Sequence, residues 1–263
     1  MASPMEQFEV RPIVPLHIGR IDISFTNSSL WMCIVVVLIA SVLTSGVSPR
    51  SLVPSRMQSI VEMTYMMVAD MVRSAAGPGG LKFFPFVFTV FVFVLFSNLL
   101  GLLPLGVFPH VHPFTVTSHI VVTFALAIFI FAMVIVVGLF RHGLRFFSIF
   151  APEVPIYMLV LLIPIEIVSF CSRPISLSVR LCANMLAGHT MLNVFGGFVI
   201  ALATAGGALA GLSLVPMAAL VAVSALEYLI GFLQAYVFAI LTCIYLSDAI
   251  NLHVSTHAEQ PQH

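Results

Sequence analysis

Long apolar runs, broken by polar residues at only a few places, dominate the pattern of this chain. Residues 29–46, 83–105 and 116–140 form three runs, each long enough to cross a hydrocarbon core of ~30 Å at ~1.5 Å per helical residue. Two longer runs follow at about 154–197 and 214–250, joined by a connector rich in glycine and alanine. The pattern predicts an all-α polytopic membrane protein with about five membrane-embedded helices, the last two forming a long, tilted hairpin.

The segments outside these runs predict how the chain is organised. Residues 1–28 are polar and proline-containing, which indicates an N-terminal extramembrane segment, while residues 57–75 are rich in methionine but carry too many charges for a span. That second segment predicts a helix on the membrane surface. Residues 29–263 would then form a single membrane domain that ends in a short polar tail, 251–263.

Basic residues gather after the first and third runs, which indicates the orientation. Arg50, Arg56, Arg73 and Lys82 follow the first run, and Arg141 with Arg145 follows the third. Because cytoplasmic loops carry an excess of Lys and Arg, both places are expected to face the cytoplasm or its organellar equivalent. The N-terminus would then lie outside and the C-terminus inside.

The composition fixes the class of protein. Of the 263 residues, 60% are hydrophobic and 8% are charged, the formal net charge is zero, and the mean hydropathy is +1.15. These values are typical of an integral membrane protein in a lipid bilayer and give no indication of nucleic-acid binding. The four cysteines have no metal or redox spacing, so no metal site and no cofactor is expected.

The first of the two long runs raises a geometric problem. If residues 156–195 form one helix, it measures ~60 Å, about twice the thickness of the hydrocarbon core. Such a helix must either tilt steeply or break, and Pro164, Pro174 and Gly188 are candidate breaks. The sequence leaves both alternatives open.

Polar residues on the two long runs are spaced as stripes. A guanidinium at membrane depth costs roughly 2.5–3.5 kcal/mol on insertion scales, so Arg180 is by default a functional site. Spacings of three or four residues place this arginine in a stripe along one side of a helix, formed by Glu166, Ser169, Ser172 or Arg173, Ser176, Arg180 and Asn184. On the last run, Glu227, Gln234 and Asp248 form a second stripe that could face the first.

Each polar residue also has a structural interpretation. The serines could bond a carbonyl one turn back, Asn184 and Gln234 could join helices, and His189 could be a buried core imidazole. Glu227 and Glu166 are harder to explain in this way, because a buried carboxylate is costly to keep as an ion and proton exchange is a natural use for it. His119 and Asp248 are weaker candidates for the same chemistry.

Several motifs make the chain similar to the a subunit of F-type ATP synthases, of the alphaproteobacterial and mitochondrial type. The motifs are 174–189, which contains Arg-Leu-x-x-Asn-Met-x-Ala-Gly-His, the pair 233–238 and 245–248, the run 97–104, and the opening 4–8. The resemblance spans nearly the whole chain. It implies a non-catalytic, stationary subunit of a rotary proton motor, beside a ring of c subunits whose essential carboxylate passes the arginine.

The resemblance also implies roles for single residues. Arg180 matches the family's essential arginine, Asn184, His189, Glu227 and Gln234 match the outer half-channel, and Glu166 with the serines after it matches the inner one. His119 stands with Thr115, Thr117 and Ser118 where some members have an outer-side acid. The order of His189 and Glu227 is that of mitochondrial and alphaproteobacterial members.

The partners implied are the c-subunit ring, the peripheral-stalk b-type subunits and other membrane subunits. The location implied is the bacterial inner membrane or, alternatively, the mitochondrial inner membrane. Two other functions compete with this interpretation: a secondary transporter in which Arg180 binds an anion, and a structural subunit whose charges only fix assembly. A transporter of that kind should show paired, interrupted helices, and the sequence has no such repeat.

Overall fold

The computed structural model describes residues 12–15, 17–18, 21–22, 24–46, 55–103, 116–143 and 156–250. The predicted polar tail 251–263 lies outside the described residues. Within them, five helices are long and apolar enough to cross a membrane, which confirms the polytopic all-α prediction.

Short strands precede the first helix, a feature that the sequence analysis did not predict. Strand β1 (Pro12–Val14) pairs antiparallel with β4 (Phe25–Thr26), and β2 (His17–Ile18) pairs antiparallel with β3 (Ile21–Asp22). The β1–β4 pair leads directly into the first helix. These ladders lie in the segment for which the sequence predicts an extramembrane position.

The first four helices follow the predicted order. Helix α1 spans Asn27–Gly46, α2 spans Arg56–Gly80, α3 spans Phe84–Leu102 and α4 spans Ile120–His142. A 3₁₀ turn at Leu81–Phe83 connects α2 to α3, and a second one at Val116–Ser118 precedes α4. Because the bounds of α1, α3 and α4 differ from the predicted spans by only a few residues, the apolar runs were sufficient to locate these helices.

Helix α2 has a capped start and an interruption near its end, and it is less apolar than its neighbours. The Ser55 hydroxyl caps it by accepting a hydrogen bond of 3.2 Å from the backbone nitrogen of Gln58. Gly77 interrupts the helical geometry near its end with a φ of 67°, a conformation that glycine adopts without strain. Of the described helices that exceed 18 residues, α2 is the one that does not qualify as a span, in agreement with the predicted surface helix.

The two last long helices form the predicted hairpin. Helix α5 runs unbroken over 50 residues, Ile156–Ala205, with Pro164 and Pro174 inside it. Its length is ~75 Å at ~1.5 Å per residue, so the structure selects the single continuous helix over the broken pair. The short helix α6 (Gly207–Leu212) occupies the connector, and α7 (Leu214–Ile250) returns. Helix α5 thus continues past residue 197, where the apolar run suggested an end.

The core forms where α7 packs against α2, α3 and α5. Its fully buried side chains include Val72 of α2, Phe91 of α3, Leu181 of α5 and Phe238 of α7. Many other large apolar residues of α5 and α7 are exposed, as expected for surfaces that face lipid or partner subunits. The packing holds the middle of α5 against α7, and the polar stripes lie along this contact.

Candidate functional site

Arg180 lies at the middle of the α5 contact with α7 and keeps an exposed side chain. Its neighbours Leu177 and Leu181 are buried in the core, so the backbone of this turn is held in place. Among the described residues, ion pairs join Arg73 to Asp70 and Arg173 to Asp248, and Arg180 forms none with its own chain. Its charge therefore remains available to an acid outside this part of the chain.

An open cavity of about 360 Å³, lined by both polar and apolar side chains, lies beside Arg180 between α5 and α7. Its lining from α5 consists of Ser169, Ser172, Arg173, Ser176, Leu177 and Arg180. Apolar residues and one tyrosine of α7 complete it, namely Val237, Ile240, Leu241 and Tyr245. The structure thus brings four members of the predicted stripe to one space; Glu166 is half-buried one turn before it and Asn184 is exposed one turn after Arg180.

One serine of this cavity also makes a local hydrogen bond. The Ser172 hydroxyl donates to the carbonyl of Ser169 at 2.8 Å, as the structural interpretation of these residues expects. Such a bond uses the proton of the hydroxyl and leaves the oxygen lone pairs able to accept. The local bond and a role in lining a polar route are therefore compatible.

Arg173 and Asp248 form an ion pair that the sequence did not reveal. The Arg173 guanidinium lies 3.6 Å from an Asp248 carboxylate oxygen, and its central carbon lies 5.0 Å from the Tyr245 ring centroid and 5.6 Å from that of Phe170. Because α5 and α7 contribute one charge each, the pair joins the helices at the end of α7. The signal that could have found it is the Tyr-x-x-Asp spacing, which places ring and acid on one face of α7.

Glu227 of α7 lies on the other side of Arg180 from the cavity and is buried against α5. Its exposure is 6%, and neither carboxylate oxygen has a hydrogen-bond partner among the described residues. The side chain crosses α5 at Gly188, where an added Cβ would overlap the Glu227 carboxylate and lie 2.8 Å from its Cγ. The absence of a side chain at Gly188 therefore makes room for the acid, and the half-buried His189 is the next residue of α5.

A second set of buried polar groups lies where α3 meets α7. Gln234 is 3% exposed and its amide nitrogen has no partner among the described residues. Asn98 of α3 is fully buried and donates from Nδ2 to the Gly231 carbonyl at 2.9 Å. The Tyr228 hydroxyl donates to the Leu102 carbonyl at 3.2 Å. Asn98 was part of a recognised motif, but the sequence analysis gave it no role.

The 3₁₀ turn before α4, Val116–Ser118, is buried and contacts α5. Thr117 and Ser118 are buried, and the Cys182 thiol of α5 lies 3.0 Å from the Ser118 carbonyl. His119 follows as the N-cap of α4, where loss of hydration on burial lowers its pKa from the ordinary value. Among the described residues, no group of three or more His, Cys, Asp or Glu could hold a metal ion.

Comparisons with known proteins show the family of this chain. The family model described as ATP synthase A chain matches residues 29–247. A protein of Mesorhizobium japonicum named ATP synthase subunit a is 55% identical, over 95% of this chain and 96% of its own length. Proteins with the same name from Maricaulis maris and Hyphomonas neptunium are 51% and 52% identical, each covering at least 95% of both chains. This chain therefore belongs to the ATP synthase A chain family, which contributes the subunit a of the membrane sector.

Proposed function

We propose that this chain is the stationary half of the proton motor, in which Arg180 separates two half-channels and faces the carboxylates of a rotating c-subunit ring. The observation that carries the proposal is the position of Arg180. It is an exposed cation, unpaired within the described part of the chain, on a helix that carries polar residues on both sides of it. The membrane-sector identity of the relatives supports the same interpretation.

The inner half-channel is assigned to the cavity beside Arg180. Ser169, Ser172 and Ser176 line it, and Glu166 precedes it on the same helix. Hydroxyl oxygens with free lone pairs offer acceptors to water along this side of α5. Asp248 lies at the α7 end of the same region, and its pairing with Arg173 supports a role in holding the two helices.

The outer half-channel is assigned to the polar groups on the other side of Arg180. Glu227 and Gln234 are buried with unpartnered polar atoms, His189 lies on α5 beside the crossing point of Glu227, and Asn184 follows Arg180 by one turn. A carboxylate and an imidazole can both take up and release protons, so this set can pass protons toward the ring. His119, before α4, is a further candidate on this side.

The mechanism follows from the cost of moving an ion into lipid. A ring carboxylate must be neutral before it enters the hydrocarbon, so it takes a proton from one half-channel before it leaves the stator. When it returns, Arg180 stabilises its ionised form and the proton leaves through the other half-channel. Since the guanidinium stays charged at all relevant pH values, it also prevents protons from passing directly between the channels.

This assignment makes the chain non-catalytic and dependent on partners. Moving one elementary charge through 100 mV is worth ~2.3 kcal/mol, so several protons per turn supply work for ATP synthesis in another sector. We infer that the partners are the c-subunit ring, the peripheral-stalk b-type subunits and other membrane subunits. The alphaproteobacterial relatives support a place in the bacterial inner membrane.

The test is to neutralise Arg180 in the assembled complex. In inverted membrane vesicles, Arg180→Gln should abolish ATP-driven proton pumping and increase the passive proton leak, while the amount of assembled complex stays normal. Arg73→Gln is the matched control, because it removes an exposed arginine already paired with Asp70. Normal pumping by Arg180→Gln would refute the proposal.

A further inference from the structure

Asn98 makes an unusual contact between two membrane helices. It is fully buried in α3, yet its Nδ2 donates at 2.9 Å to the backbone carbonyl of Gly231 in α7. Because a carbonyl can only accept, the nitrogen of the amide must face Gly231 and the oxygen must point elsewhere. That oxygen, Oδ1, is buried and has no hydrogen-bond partner among the described residues.

The turn that Asn98 contacts is the one that carries Glu227. Gly231 lies four residues after Glu227, one helical turn along the same face of α7. Close packing makes the contact possible, since a Cβ added at Gly231 would lie 3.4 Å from the Cβ of Asn98. The Tyr228 hydroxyl binds the Leu102 carbonyl of α3 next to it. The end of α3 therefore holds the Glu227 turn at two points.

Buried polar atoms that have no hydrogen-bond partner among the described residues lie along the contact of α7 with α3, and they include both donors and acceptors. Glu227 supplies two buried oxygens, Gln234 supplies a buried amide nitrogen, and Asn98 adds a buried amide oxygen from α3. Positions 227, 231 and 234 are spaced by four and three residues, so they line one side of the helix. Buried groups of this kind are costly unless water satisfies them, and a bridging water requires two to four polar partners. Donors and acceptors of that number are present here.

We propose that Asn98 is a positioning residue of the outer proton route. Its amide nitrogen fixes the α7 turn that carries Glu227, and its amide oxygen offers an acceptor to the water that joins Glu227 and Gln234. The route toward the outer surface then follows the contact of α3 with α7, which the sequence alone did not indicate. This inference rests on the proposed function, in which Glu227 passes protons.

Two substitutions separate positioning from packing. Asn98→Leu keeps the number and branching of the side-chain heavy atoms and removes both polar atoms, and we expect it to lower proton flow about tenfold in assembled complexes. Asn98→Asp keeps the shape, and its carboxyl can donate to Gly231 only when protonated. Proton flow in Asn98→Asp, relative to the native protein at the same pH, should therefore rise as the pH falls. In Asn98→Leu the same ratio should stay constant.

The comparison with the native protein at each pH is needed because other groups titrate there. Glu227 from α7, His189 from α5 and His119 before α4 are present in every variant, so their effects cancel in the ratio. Thr123→Val is the matched control, since Thr123 is buried in the first turn of α4 but bonds only to its own helix, through the carbonyls of His119 and Ile120. It should pump normally.

Three results would overturn the inference: proton flow within twofold of the native protein in Asn98→Leu, equal defects in both Asn98 variants at every pH, or failure of both to assemble. The last two would assign Asn98 to packing alone. The proposed function fails by a different result, normal pumping in Arg180→Gln. Defective Arg180→Gln with normal Asn98→Leu would therefore reject only the present inference.

Discussion

Gly188→Ala is the substitution that most directly tests whether the position of Glu227 controls proton flow. The added Cβ would overlap the Glu227 carboxylate and lie 2.8 Å from its Cγ. Carbon atoms in contact prefer separations of ~3.5–4.0 Å, so the Cγ must retreat by roughly 0.7–1.2 Å and the carboxylate must leave its place. The change alters no charge and retains the acid itself.

The expected magnitude follows from the cost of overpacking. Adding a methyl group to a packed site costs about 1–3 kcal/mol. The fraction of molecules with Glu227 in its native position should then fall by about 5- to 150-fold, because each ~1.36 kcal/mol is a factor of ten. This fraction limits the rate if the proton route needs that position. Proton flow through the membrane sector should fall by the same factor, while the complex still assembles.

The assay is ATP-driven pumping in inverted vesicles, with passive proton flow measured after removal of the soluble sector. Gly197→Ala is the matched control on the same helix, because an added Cβ at Gly197 meets nothing within 4 Å. Glu227→Asp shortens the acid and should reduce the cost of Gly188→Ala, so the two changes should be non-additive. Pumping equal to that of Gly197→Ala, or strict additivity, would refute the reasoning.

Two further predictions concern the pairs on either side of Arg180. Exchanging His189 and Glu227 in one double variant should restore part of the proton flow lost in His189→Ala or Glu227→Ala, because the exchange retains an acid and an imidazole; a double variant no better than the worse single one would contradict this. Arg173→Met removes the partly exposed ion pair with Asp248, so it should lower the free energy of unfolding of the solubilised chain by about 1 kcal/mol. Proton pumping should stay within a few-fold of the native rate. Loss of pumping as complete as in Arg180→Gln would show that Arg173 has more than a structural role.

The sequence predicted the helices well because their signal is local. An apolar run of this length is typical of a membrane-spanning helix, so α1, α3 and α4 follow directly from residues 29–46, 83–105 and 116–140. The state of α5 could not be decided in the same way. Pro164 and Pro174 are compatible with a break or with a continuous helix, and the structure has the continuous one.

The candidate site was predictable only in its polar stripe. Three- and four-residue spacing was enough to group Ser169, Ser172 and Ser176 with Arg180, and the structure places them around one cavity. The contacts between two helices depend on their crossing angle and relative register. The spacing of residues along one helix does not determine either of them. For this reason the Asn98 bond to Gly231 and the passage of Glu227 over Gly188 required the structure.

The unbroken form of α5 gives a physical reason for keeping the two proposed half-channels apart. Ser176 precedes Arg180 by four residues and Gly188 follows it by eight, so Ser176 in the cavity and the Glu227 crossing at Gly188 lie ~18 Å apart along the axis. Relative to Arg180 they are rotated by about 40° and about 80° in opposite directions, at ~100° per residue. The two regions therefore differ in both height and direction, with the guanidinium between them. In the proposed mechanism, a proton that travels from one to the other is therefore carried sideways on a moving acid of the ring, because the direct path along α5 passes a fixed positive charge.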